Sequence, residues 1–135
     1  MVVSIGKIRG LSEEMAAQLK AMGLSNSERF LQASGTPAGR QQLAQQLGVA
    51  TQVVLEWANR SDLARVKGIG SVYSDLLEEA GVDTVRELAS RRADNLTAKM
   101  QAVNTSKQVA GRAPTLRMVE SWIAAAKELP RILEY

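Results

Sequence analysis

Two short segments, Lys7-Ile8-Arg9-Gly10-Leu11-Ser12 and Arg65-Val66-Lys67-Gly68-Ile69-Gly70, hold the residue types best suited to chemistry in this chain, and that chemistry is anion binding. A glycine turn leaves backbone N–H groups unshielded, and a helix that starts directly after it adds the partial positive charge of its macrodipole. A phosphate can dock on such amides without any side chain. Gly68, Ile69 and Gly70 would supply the amides, with Arg65 and Lys67 as flanking charge. A second basic area follows at Arg91, Arg92, Lys99, Lys107 and Arg112, and Asp94 is the only acid as far as Arg117. Such a segment attracts an anionic partner, although it reads equally well as a solvated loop and helix face. The first turns of the following helices oppose docking, because they carry Glu13 and Glu14 in one copy and Asp75, Glu78 and Glu79 in the other. Acids there stabilise the helix and repel a phosphate. The plainer alternative is that the glycines only let two helices cross closely.

Catalytic chemistry is narrowly bounded. The chain has no cysteine and no histidine, which removes disulfides, thiol nucleophiles, zinc sites and imidazole acid–base work. Glu78 and Glu79 are adjacent on a helix and point apart, so they make poor acid–base partners. A non-catalytic protein without cofactor or metal is expected. The net charge of +3 is mildly basic. No stretch approaches the ~18 apolar residues of a membrane span, and Met1-Val2-Val3-Ser4 opens no signal-peptide core, so no membrane association and a cytoplasmic location are expected.

The elements that must position these turns follow from a repeat and from caps. A shift of 58 residues aligns Gly10 with Gly68, Leu19 with Leu77, Gly23 with Gly81 and Phe30 with Leu88; Trp57 corresponds to Trp122 after a small insertion. Ser12 caps a helix of residues 13–22. Ser25 to Glu28 has capping-box spacing for a second, and Thr36-Pro37 opens a third that Gly48 ends. A fourth covers about 51–58. The chain is expected to break near Asn59-Arg60-Ser61-Asp62, with Asp62 capping a short helix to Lys67. Helices of residues 71–80, 84–91 (capped by Asp83) and 94–104 (capped by Asp94) come next. A loop of 105–113 leads to a long helix from Pro114 to Glu128, with Leu116, Val119, Ile123 and Ala126 on one stripe. No run alternates with period two, so no sheet is expected.

Several stretches resemble known helical modules. Leu43 to Trp57, with its turn at Gly48, resembles a helix-turn-helix, but its second helix offers Gln52 and Glu56 and no basic residue to read bases. Leu76 to Ala89 is similar to a stretch of the C-terminal domain of the bacterial RNA polymerase α subunit. Taken with Leu55 to Leu63, Lys67-Gly68-Ile69-Gly70, Asn95-Leu96 and Val119 to Ile123, the chain resembles a helical domain family of unassigned function that contains helix-hairpin-helix motifs. The resemblance implies an all-α tandem helix-hairpin-helix fold and carries no activity and no site residue. Relatives of that motif often bind nucleic acid without sequence preference, and the acidic second helices here depart from their pattern.

The expectation is therefore an all-α tandem helix-hairpin-helix repeat, its halves at residues 1–60 and 61–135 packed as one unit. Its expected role is a binding module, with nucleic-acid backbone as ligand at the residues named above. The alternative is a protein-interaction or scaffold module that uses its helical faces and the apolar tail Ile132-Leu133-Glu134-Tyr135, which could dock on a partner, on a second copy or on the protein's own core.

Overall fold

A computed structural model describes residues 2–135. They form α1 (Glu13–Ala21), α2 (Ser27–Ser34), α3 (Pro37–Leu47), α4 (Thr51–Leu63), α5 (Ser71–Glu79), α6 (Val85–Ala89), α7 (Ala93–Lys107) and α8 (Leu116–Glu128), after a 3₁₀ turn at Ile5–Lys7. The fold is all-α, and the one β feature among the described residues is an isolated bridge between Ser4 and Asn26. None of the helices is long and apolar enough to cross a membrane among the described residues.

Side-chain caps start five helices. Ser12, Asn26, Thr36, Thr84 and Thr115 accept hydrogen bonds from the amides of Met15, Arg29, Gly39, Glu87 and Met118, respectively. Each bond satisfies one of the donors that a helix start leaves unpaired. Three caps differ from the sequence expectation. Asn26 caps α2 in place of Ser25, whose carbonyl instead accepts from the Ile5 amide at 3.0 Å. Thr84 replaces Asp83. Asp94 is not the N-cap: Arg92 takes that position two residues earlier, which puts Asp94 in the first turn of α7, where it accepts from the Asn95 amide at 2.8 Å and pairs with Arg92 at 3.0 Å. Helix α7 also runs on to Lys107, into the expected loop, and closes at Gln108 with φ +53°. Pro114 lies just outside α8, and Leu116 is exposed rather than part of the buried stripe.

The largest departure is α4, which continues unbroken through Asn59–Asp62 to Leu63. Asp62 starts no helix. It is buried, with Oδ1 paired to Arg65 at 3.0 Å, while Oδ2 accepts from the Val85 amide at 2.8 Å. Asp62 therefore caps α6, 23 residues further along the chain, and satisfies a buried amide there. The expected border between residues 60 and 61 falls inside one helix.

The buried apolar residues divide into two clusters. One holds Ile5, Leu19, Phe30, Leu31, Val54 and Trp57, the other Val66, Ile69, Leu77, Leu88, Met100 and Trp122. Each cluster has a tryptophan beneath a glycine turn. Trp57 Nε1 donates to the Gly10 carbonyl at 3.3 Å. Trp122 Nε1 would lie 3.0 Å from a Cβ placed on Gly68. Gly10 and Gly68 sit at φ +86° and +93°, a region that L side chains avoid, so backbone shape calls for glycine at both, and at Gly68 the close ring approach adds to it.

The segment after α8 returns to the first cluster. Leu133 is buried there, and the Glu134 amide donates to the Gly35 carbonyl at 2.7 Å. Arg40, only 4% exposed, donates to the carbonyls of Ser34 at 2.9 Å and Glu134 at 2.7 Å. Burial holds its guanidinium below the usual arginine range. Of the docking options open to the tail, the protein's own core is the one observed.

Candidate functional site

At the second glycine turn the Ile69 amide donates to the Val66 carbonyl at 3.1 Å, and the Ile69 side chain is fully buried. The Ile69 amide is thus consumed in closing the turn and is not one of the docking amides expected of it. Gly70 is the N-cap of α5, at φ −96°, and with no side chain it supplies no capping bond. The amides of the first turn of α5 consequently have no side-chain acceptor at the N-cap. At the first glycine turn the matching position is Ser12, whose Oγ accepts from Met15 at 3.1 Å and occupies the helix start. Only the second turn keeps an open helix N-terminus, the feature that attracts anions.

The acids of α5 are neutralised from outside the helix. Arg60 on α4 places Nη1 2.8 Å from Asp75 Oδ1 and Nη2 2.8 Å from Glu78 Oε2. Lys107 on α7 pairs with Glu79 at 2.5 Å. Burial pushes the Glu78 carboxyl above its usual range, outweighing the pull of Arg60. Around the first turn Glu13 and Glu14 remain exposed on α1.

The basic residues singled out by sequence do not form one surface. Lys67 is exposed beside the turn. Arg112 is exposed near the same end of α5, because its carbonyl accepts from Tyr73 Oη at 3.2 Å and the Tyr73 ring packs tilted against Trp122, centroids 5.2 Å apart. Arg65 points inward, 13% exposed, and bonds to Asp62 and to the Pro130 carbonyl. Arg91 and Lys99 gather at the opposite end of α5, where Arg91 Nη2 donates to the Gly81 carbonyl at 3.0 Å and Lys99 Nζ is close by. Cations at a helix C-terminus complement its dipole, which is a structural role for both. Lys107 joins them through Glu79. A helix of this length spans about 13 Å, so these three stand that far from the turn. Arg92 lines a separate groove with Leu116 and Glu120.

The helix-turn-helix-like stretch forms α3 and α4 with Gly48 at φ +68° between them, and Val54 and Trp57 pack inward. Its outer face presents Gln52 and Glu56. Arg60, which sequence reasoning placed at a domain border, supplies the neutralising charge instead. Its heptad-like distance from Val53 and Trp57 on one helix was the available signal, hidden by ending α4 too early.

The sequence matches a family model over residues 9–129. The chain belongs to the domain family of unknown function DUF4332. No curated protein and no solved structure matches it. Membership covers the span from Arg9, inside the first glycine turn, to the end of α8, so Gly10, Gly68 and both tryptophans lie within the family domain.

Proposed function

We propose that this DUF4332 domain is a non-catalytic, cytoplasmic module that grips the phosphate backbone of nucleic acid without sequence preference, at its second glycine turn. The observation that carries this reading is the open N-terminus of α5, with its own acids neutralised by Arg60 and Lys107. Both glycine turns are read as helix-hairpin-helix motifs in tandem. Their matched tryptophans and the two apolar clusters support that, and in this reading the halves join within α4. The contact surface is narrower than composition suggests: Lys67, Gly68, Gly70 and Arg112, with Arg91, Lys99 and Lys107 serving mainly the far end of α5. The rival reading, an interaction module working through its tail, is less favoured because the tail is already seated on the first half.

Fluorescence anisotropy with labelled single- and double-stranded DNA and RNA tests the reading. Micromolar binding should weaken with salt, with a log–log slope of roughly −2 if two cations each displace about one counterion. Lys67→Glu with Arg112→Glu should remove it in a protein that remains folded. Undiminished binding in that variant, or loss on Arg92→Glu and Lys99→Glu instead, would move the interface away from the turn. No binding at low salt would leave a helical module whose partner is a protein.

A further inference from the structure

We propose that the cleft between α6, α8 and the returning tail is a binding site for a small amphiphilic anion, with an anionic head and an aliphatic body. The cleft measures about 300 Å³, at the lower end of the ~300–1,000 Å³ typical of small-molecule sites. Its walls are aliphatic, contributed by Val85 and Ala89 of α6, Ala126 of α8, and Leu129 and Leu133 beyond it. Besides Arg65, which is paired with Asp62, three cations from three different elements stand on the same cleft: Arg86 on α6, Lys127 on α8 and Arg131 on the tail. All three are exposed, and none has a carboxylate partner among the ion pairs of the described residues. Arg131 Nε donates to the Leu133 carbonyl at 3.1 Å, which tethers the side chain to the segment that forms the wall.

The one acid lining the cleft does not offset them. Asp62 is 3% exposed and has both oxygens engaged, by Arg65 and by the Val85 amide. Asp83 acts on Tyr135 but does not line the cleft. Like charges brought together over a low-dielectric floor repel one another and raise the local concentration of anions. The aliphatic walls then choose among anions. A polyanion strand would leave them bare, whereas an acyl or similar chain would cover them and leave its head among Arg86, Lys127 and Arg131. These residues are separate from the second glycine turn, so this site stands or falls independently of nucleic-acid binding.

Decanoate, decanol and decyltrimethylammonium, each below its micelle-forming concentration, titrated into the whole chain and followed by amide chemical shifts, separate the contributions of head and body. Decanoate should shift the amides of Ala89, Ala126 and Leu133 and bind about tenfold more tightly than decanol, the head gaining charge-assisted bonds; the cation should bind least. Arg86→Gln with Lys127→Gln, both exposed, should bring decanoate down to the level of decanol. Ala89→Leu fills the cleft with the charges intact and should abolish both. Equal binding of decanoate and decanol, shifts mapping elsewhere, or a glutamate-rich peptide or oligonucleotide displacing decanoate from the cleft at lower concentration would each overturn the proposal.

Discussion

At φ +93°, with Trp122 Nε1 3.0 Å from where a Cβ would stand, Gly68 is held by backbone conformation and by packing at once. Gly23 shares the left-handed backbone at φ +84° but faces open space. Gly68→Ala is therefore expected to destabilise the fold by roughly 2 kcal/mol and Gly23→Ala by about 1 kcal/mol, since only the first adds ring displacement to backbone strain. Urea unfolding of the two variants checks this, and equal losses would mean that the tryptophan yields freely. Glu78 offers a test of charge. Its folded-state carboxyl titrates above the ordinary range, so the folded chain holds that proton more tightly than the unfolded chain does. The associated stability is fully present below the unfolded value and is lost as pH rises through the folded one. Glu78→Gln should consequently be the more stable form at neutral pH, with the difference shrinking as wild type is acidified through the carboxylate range; thermal midpoints of both proteins against pH measure it. The glycines were legible in the sequence because a turn is a local constraint. The partner of Glu78 was not, because Arg60 reaches it from another helix.

Helix ends show the same division. Thr36-Pro37 and Gly48 bracket α3 as their chemistry dictates, since cap and stop both act within four residues. Asp62 has equally good N-cap chemistry and spends it on α6, because α4 buries its last turn and a buried carboxylate needs donors wherever they lie. Helix α7 ends on Gln108, the one non-glycine residue at positive φ among the described residues, where a side chain carries a strain that glycine escapes. Gln108→Gly is expected to raise stability by about 0.5–1 kcal/mol, the gain from relieving a left-handed C-cap less the added chain entropy. A rise in thermal midpoint without change in helicity by circular dichroism is the expected result; a fall would show that the Gln108 side chain contributes contacts that outweigh the strain.

For the whole molecule, the tail brings the far end of the described chain back onto the first cluster. Leu133 fills the first cluster from the tail, and Arg40 and Gly35 hold the segment around Glu134. Leu133→Ala should destabilise by about 2–4 kcal/mol, the range for emptying a buried leucine site. Each cluster holds one tryptophan, so Trp122→Phe leaves Trp57 to report the first cluster and Trp57→Phe leaves Trp122 to report the second. The two urea curves should coincide in the intact chain, as a cooperative unit requires. Removing residues 130–135 should move the Trp57 curve to lower urea ahead of the Trp122 curve; coincident curves after truncation would assign the coupling to α4. Within that frame, the all-α class, the positions of the glycine turns and the starts of α1, α3, α4 and α5 were determined by sequence alone, because turn conformation, capping and the helical spacing of apolar residues are set by neighbours a few positions apart. The pairing of Arg60 with the acids of α5, the reach of Asp62 to α6, the separation of Arg91 and Lys99 from the turn, and the meeting of Arg86, Lys127 and Arg131 were decided only in the tertiary structure. Each of those joins residues on different helices, and the distance between them depends on how whole helices pack.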